Sequence, residues 1–144
     1  MKRLLRKRLV RIVLDVGLFV GFIVEFLTRE PDFDPDYILH SWVGIVLIPV
    51  IGVHLASNWA WVQRVIRNGS GDKEFGLGVL NSVLGTLAAV CIVSGFPLWF
   101  EWSTAGWLSG LHTITGMLAI VLMFVHLWMN RGRIGGLIRP RAMT

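Results

Sequence analysis

Only four histidines occur in this chain of 144 residues, and they form two pairs with the same spacing. His40 and His54 are 14 residues apart, and so are His112 and His126. On an α-helix, 14 residues make just under four turns and a rise of about 21 Å, so the two histidines of a pair share one face at different depths. That rise is too long for one metal site and indicates two stacked sites, each with one imidazole from each helix.

Two imidazoles that face each other at one depth are the axial ligands that a planar iron macrocycle requires. Neutral histidine is a good metal ligand, and its second ring nitrogen can be held by a carbonyl oxygen. Because the chain lacks a Cys-x-x-Cys-His motif for covalent attachment, the pairs predict two b-type haems. A zinc or copper site is the competing interpretation, but two histidines per level fall short of the four ligands that zinc prefers.

An internal repeat of 72 residues contains both pairs. It relates LHSWVGIVLIPVIGVHLASN, residues 39–58, to LHTITGMLAIVLMFVHLWMN, residues 111–130. Chance similarity of apolar segments explains the shared leucines and valines, but not two histidines, a glycine and an asparagine at one offset. The repeated glycines, Gly44 and Gly116, lie four residues after the first histidine of each pair, on the same helical face. We predict that they clear space for the flat ring, although small residues also let membrane helices pack closely.

Four long apolar segments must position these residues, at about residues 9–27, 37–62, 76–100 and 104–129. Hydrophobic residues make up 54% of the chain, and its mean hydropathy is +0.65. Each segment approaches the ~20 residues that a helix needs to cross the hydrocarbon core, where backbone groups must be bonded within the segment. The sequence therefore predicts one all-α domain over residues 1–144: an integral membrane four-helix bundle, up-down-up-down, that binds two haems between its second and fourth helices.

The distribution of charge predicts the orientation of this bundle. The net charge is +5, and the lysines and arginines concentrate before the first segment, in the second connector and in the tail. Four spans place these three regions on one side, which the positive-inside rule assigns to the cytoplasm. The opposite side carries mainly acids, namely Glu30, Asp32, Asp34, Asp36 and Glu101. We therefore predict a multi-pass protein of the bacterial inner membrane, with both termini cytoplasmic and with lipid, not nucleic acid, around its basic residues.

The second and fourth segments run in the same direction in this topology, which pairs histidines of equal depth. His40 and His112 form the outer level and are the predicted ligands of the outer haem iron. His54 and His126 form the inner level and are the predicted ligands of the inner haem iron.

The pattern His-x13-His on two parallel helices resembles the di-haem helix bundle of the cytochrome b superfamily. Residues 53–69, VHLASNWAWVQRVIRNG, are similar to a smaller family of bacterial four-helix proteins, the flavinylation-associated cytochromes. The resemblance covers nearly the whole chain and implies axial ligation by the four histidines. It also implies electron exchange with an extracytoplasmic flavin-carrying redox protein.

Two functions are consistent with two haems. The first is transmembrane electron transfer between a membrane quinone pool or an inner donor and an extracytoplasmic redox partner. The second is a small membrane oxidoreductase that acts directly on quinol, superoxide, oxygen or ferric iron. A haem-free helical scaffold or transporter is a third interpretation, from a different class. The short connectors disfavour a dedicated substrate domain, and no residue is assigned a catalytic role.

Three further residues in or near the apolar segments have local explanations. Asp15 is four residues after Arg11, and we interpret it as an i,i+4 ion pair in preference to a proton relay or quinone contact. Cys91 is the only cysteine, so it forms no intrachain disulfide and is interpreted as a small hydrophobic residue. Arg29 can pair with Glu25 or bind a propionate of the outer haem.

Overall fold

Five α-helices account for almost all of the chain that the structure, a computed structural model, describes: residues 2–29, 34–100, 102 and 105–138. They are α1 (Lys2–Leu27), α2 (Asp34–Ser57), α3 (Trp59–Asn68), α4 (Phe75–Trp99) and α5 (Gly106–Ile138), with one turn of 3-10 helix at Gly69–Gly71. These residues contain no β-strand, so the prediction of an all-α fold is confirmed for this part of the chain. Several residues used to predict the orientation lie outside the described residues: Glu30, Asp32, Glu101, Arg139 and Arg141.

Three helices of the described part are long and apolar enough to cross a membrane. They are Ile38–Ser57 within α2, Phe75–Trp99 of α4 and Gly106–Gly135 within α5. Large apolar side chains lie exposed on all three, for example Val46, Val93 and Val121, which are 57%, 70% and 56% exposed. Exposed apolar surface of this extent needs a non-aqueous cover, and membrane lipid supplies one.

α1 differs from these three helices because its apolar stretch carries Arg11, Asp15 and Glu25. The two acids are only partly exposed, at 29% for the side chain of Asp15 and 15% for that of Glu25. The valines at positions 13, 16 and 20 are each more than half exposed. α1 therefore turns its carboxylates inward and an apolar face outward.

The helices pack as two pairs, with a gap between the two that carry the histidines. α1 lies along α2, and α4 lies along α5, while α1 also touches α5 and α2 touches α4. Among the described residues, however, no Cα atom of α2 comes within 8 Å of one in α5. The helices with the histidine pairs are thus neighbours across a space and not in direct backbone contact.

The second predicted segment, 37–62, is divided in two by Asn58. This residue leaves the helical conformation, with φ −108° and ψ 8°. Its side-chain Nδ2 donates to the carbonyl oxygen of His54 at 2.9 Å, and its repeat counterpart Asn130 donates to that of His126 at the same distance. α5 continues unbroken past Asn130 to Ile138, beyond the predicted end at 129. The hydrogen bond from the asparagine side chain to the carbonyl oxygen four residues earlier therefore does not by itself end a helix. The end of α2 coincides instead with the start of α3, which packs against α4.

α3, the loop before α4 and α5 are joined by a cluster of polar residues, which we call the loop cluster: Trp61, Arg64, Asp72, Glu74 and Arg133. The guanidinium of Arg64 donates to both carboxylate oxygens of Asp72, at 3.0 and 2.9 Å, and also to Glu74. Arg133 of α5 donates to the other oxygen of Glu74, and Trp61 donates its indole N–H to Glu74 at 2.8 Å. The backbone N–H of Glu74 lowers the pKa of Asp72. Three helices are thereby tied together at the end of the bundle nearest the inner level.

We expect acid to loosen the loop cluster. Partial burial alone raises the pKa of Glu74, but hydrogen bonds from Trp61, Arg64 and Arg133 outweigh it and lower the pKa from 4.5 to about 2. A carboxyl group whose pKa is lowered by folding stabilises the fold above its unfolded pKa, and this stabilisation is lost as the pH falls through the folded value. Thermal unfolding in detergent should therefore shift to lower temperature between pH 4.5 and about 2. The Glu74→Gln variant should show a weaker dependence over that window; an identical dependence would contradict the assignment.

Candidate functional site

The outer level lies in a cavity of about 470 Å³ enclosed by α1, α2, α4 and α5. His40 and His112 both line it, with their ring centroids 5.9 Å apart and their planes at 80°. The predicted glycines, Gly44 and Gly116, line the same cavity. The volume is in the ~300–1,000 Å³ range of ligand sites. The structure therefore brings the four predicted residues of the outer level together around one space.

Each histidine of the outer level is held from behind by a neighbouring helix. The Nδ1 atom of His40 lies 3.1 Å from the backbone oxygen of Glu25 and 3.0 Å from its carboxylate Oε2. The Nδ1 atom of His112 donates to the backbone oxygen of Cys91 at 2.8 Å. Because each acceptor is an oxygen, a neutral imidazole in this position carries its proton on Nδ1 and keeps the lone pair of Nε2.

The inner level repeats this arrangement with other partners. The Nδ1 atom of His54 lies 3.2 Å from Oδ1 of Asp15, and that of His126 donates to Oδ1 of Asn81 at 2.6 Å. The amide nitrogen of Asn130 is 3.5 Å from both ring nitrogens of His126, which is long for a hydrogen bond.

All four histidines are thus held in the same way, by an oxygen atom of a neighbouring helix near Nδ1. α1 holds the histidines of α2 through Asp15 and Glu25, and α4 holds those of α5 through Asn81 and Cys91. In both holding helices the two positions are ten residues apart. A metal-binding histidine commonly donates its other ring N–H to such an acceptor, which fixes the tautomer and the orientation of the ring. In this arrangement the Nδ1 atom of each ring is engaged, and Nε2 is the nitrogen that remains for another ligand.

The separation of His40 and His112 would suit a metal ion held between their two rings. A first-row metal ion binds an imidazole nitrogen at about 2 Å, so two axial imidazoles have ring centroids roughly 6 Å apart once a ring radius is added on each side. The observed separation of 5.9 Å agrees with this value. Rotation of an imidazole about its own metal bond does not move the nitrogen, so perpendicular planes are compatible with axial ligation.

Glycines create the close approaches behind the rings. A Cβ atom at Gly95 of α4 would lie 2.8 Å from Cε1 of His112, closer than real Cβ contacts. A Cβ at Gly116 would lie 3.3 Å from the sulfur of Cys91, and one at Gly44 would lie 3.6 Å from the carboxylate of Glu25. Gly116 therefore also makes room for a residue that holds a histidine, whereas a Cβ at Gly44 would make only an ordinary van der Waals contact.

Two interpretations from the sequence change on this evidence. Asp15, interpreted as a partner of Arg11, lies against His54. Glu25, considered as a partner of Arg29, lies against His40. The ten-residue spacing of Asp15 and Glu25 is a signal that could have suggested a role at both levels.

Two further holding residues were missed because the sequence could not reveal them. Cys91 acts through its backbone oxygen, which every residue type has. Asn81 acts through its side chain but stands alone in an apolar run, with no pattern that ties it to a histidine.

The described part of the chain contains no group of three or more His, Cys, Asp or Glu side chains arranged to hold a metal ion. Comparisons of the chain with protein-family models, with curated proteins and with solved structures found no match. What the site can do follows from its own residues, and at the outer level these bring two imidazoles to one cavity.

Proposed function

We propose that this chain is a four-helix membrane cytochrome that carries electrons between the two faces of a membrane through two b-type haems. One observation carries the proposal. All four histidines extend from α2 and α5, whose backbones stand apart, and every one of them has its Nδ1 held by an oxygen of the helix behind it. A haem bound at each level supplies an iron that gains and loses one electron.

The chain's own residues have three tasks in this function. The histidines bind the iron and, through their Nδ1 partners, keep fixed orientations. The apolar residues of the outer cavity, among them Phe22, Ile48 and Met117, exclude water from the ring. The helices set the two levels about 21 Å apart along their axes, which is the rise over 14 residues.

α1 supports the proposal of a fourth membrane span. Its charged residues argue against a lipid-exposed helix, since a charge in the hydrocarbon is costly. Asp15 and Glu25, however, lie against the histidines and are turned away from the lipid side. With the acids inward and valines outward, α1 can lie in the bilayer beside α2 and α5 and complete the bundle.

The orientation of the bundle is proposed from its charges and tryptophans. Arg64, Arg131 and Arg133 lie at the inner end, which is the cytoplasmic side by the positive-inside rule. Trp102, Trp107 and Trp128 are 75%, 72% and 68% exposed and belong to the two ends of the bundle, as expected for side chains at the membrane interfaces. Both termini then face the cytoplasm of a bacterium whose inner membrane holds the protein.

The donor and acceptor are proposed by chemical class. A membrane quinol yields two electrons and two protons when it is oxidised to the quinone, and two one-electron sites match that donor. The resemblance to flavinylation-associated cytochromes favours an extracytoplasmic flavin-carrying protein as the acceptor. The long, exposed apolar surface of α2, α4 and α5 requires lipid as the surrounding partner.

The test is to express the protein with ample haem supply, purify it in detergent and record spectra of the oxidised and dithionite-reduced forms. We expect the absorption of low-spin b-type haem and about two haems per chain, one for each pair of ligands. Reduction by a quinol in reconstituted vesicles, followed by oxidation from the opposite side, should demonstrate transfer. A protein that stays colourless would refute the cytochrome assignment.

A further inference from the structure

The four groups that hold the histidines are of two chemical kinds. On α1 both are carboxylates, Asp15 and Glu25. On α4 both are uncharged, namely the backbone oxygen of Cys91 and the side-chain amide of Asn81. Each level therefore has one histidine with a carboxylate partner, on α2, and one with a neutral partner, on α5. The repeat relates α2 to α5, but the groups that hold the histidines of these two helices differ in charge.

The carboxylates are not needed merely to orient the rings. α4 orients His112 and His126 with neutral acceptors at distances of 2.8 and 2.6 Å. Carboxylates are more costly than such acceptors in an apolar helix. Glu25 is only 15% exposed, and its Oε1 atom is buried without a hydrogen-bond partner among the described residues. The chain itself thus contains the neutral alternative, which indicates that the charge has a purpose beyond geometry.

A carboxylate behind an imidazole changes the electronic properties of a metal that the imidazole binds. It draws the Nδ1 proton toward itself, which makes the Nε2 atom a stronger electron donor. Its negative charge also favours the more positively charged oxidation state, and this effect is larger where water is excluded. Both effects stabilise the ferric over the ferrous iron and lower the reduction potential.

We propose that Glu25 and Asp15 are positioning residues that lower the reduction potentials of the outer and inner haem, respectively, by acting through His40 and His54. This inference rests on the proposed haem function. Its consequence is that α1, the most charged of the long helices, sets the electron affinity of both sites from behind the ligands. α5 supplies His112 and His126, and α4 supplies the groups that hold them. These groups are uncharged, so they do not lower the reduction potential in this way.

The test exchanges each carboxylate for the amide of the same shape. Glu25→Gln and Asp15→Asn keep an oxygen that can accept from Nδ1 and remove the charge. We expect each to raise the potential of the haem at its own level, by about a tenfold change in the equilibrium constant for reduction, or about 59 mV for a one-electron couple. Redox titrations followed by haem absorption measure this shift. Electron paramagnetic resonance of the ferric protein checks that both irons keep two histidine ligands.

The matched control reverses the exchange on α4. Asn81→Asp places a carboxylate behind His126, so the potential of the inner haem should fall while that of the outer haem stays unchanged. Potentials are assigned to levels in proteins that lack one of the two sites. Because this variant adds a charge instead of removing one, it tests the inference even where an α1 variant binds haem poorly.

The outcomes separate the inference from the function on which it rests. A native protein without haem overturns the function. A native protein with two haems whose potentials do not move in Asp15→Asn, Glu25→Gln and Asn81→Asp overturns the inference and leaves the function standing. Shifts in the opposite direction overturn it as well.

Discussion

The His112→Ala variant is expected to bind about one low-spin haem per chain where the native protein binds about two, because a pair that loses one imidazole no longer supplies both ligands of a low-spin iron. The remaining haem should be that of the inner level, since His54 and His126 keep their partners Asp15 and Asn81. The measurement is the haem-to-chain ratio, with absorption spectra of the reduced protein. Circular dichroism should show the helical content unchanged, because His112 projects from a helix that does not depend on it.

The reciprocal variant provides the control. His126→Ala should also leave one haem, but a different one, so the spectra and potentials of the two variants should add up to those of the native protein. His40→Ala should match His112→Ala, since both remove the outer level. Loss of both haems in every single variant, with the helices intact, would show that the four histidines form one site and not two.

A single methyl group at Gly95 is expected to damage the outer level selectively. In Gly95→Ala the new Cβ would lie 2.8 Å from Cε1 of His112 and 3.1 Å from its Nδ1. The ring must then move, and the Nδ1 bond to the backbone oxygen of Cys91 must stretch or break. Disruption of such a supporting contact typically costs 10–100-fold in metal affinity. Haem affinity at the outer level, measured by titration of the haem-depleted protein, should fall by about this factor.

Gly85→Ala is the matched control for this prediction. Gly85 lies on the same helix, and a Cβ there would meet no atom within 4 Å. The substitution should therefore leave haem affinity at both levels unchanged. It should leave the stability of α4 unchanged or raise it slightly, because alanine has a higher helix propensity than glycine. Equal effects of the two substitutions would show that helix propensity, and not the space behind His112, is responsible.

The orientation of α1 explains how a helix with two acids in its apolar stretch can still present an apolar face. By composition alone, this helix is the least suited of the four long ones to a bilayer, since Asp15 and Glu25 interrupt its apolar stretch. In the folded chain the two acids face the histidines of α2, and the valines at positions 13, 16 and 20 are exposed. A hydropathy average counts a charge equally whichever way it points, whereas the cost of that charge depends on what it faces.

The sequence by itself predicted the long apolar helices and the shared face of each histidine pair, but not the break at Asn58. Apolar length predicts spans, and the 14-residue spacing predicts one face and two depths, because both follow from the regular geometry of a single helix. The 72-residue repeat predicts equal roles for Gly44 and Gly116, and both line the outer cavity with His40 and His112. These properties are local or repeated, so no knowledge of the packing is required.

Only the tertiary structure decided which groups stand behind the histidines. Helix packing alone brings Glu25 to His40 and Asn81 to His126, and it sets α2 and α5 apart around a cavity. The physical reason is that the partner of a buried polar atom is selected by the rotation and offset of a neighbouring helix. These two variables leave no periodic trace in the sequence of either helix. For the same reason, a backbone acceptor such as that of Cys91 cannot be recognised from residue types.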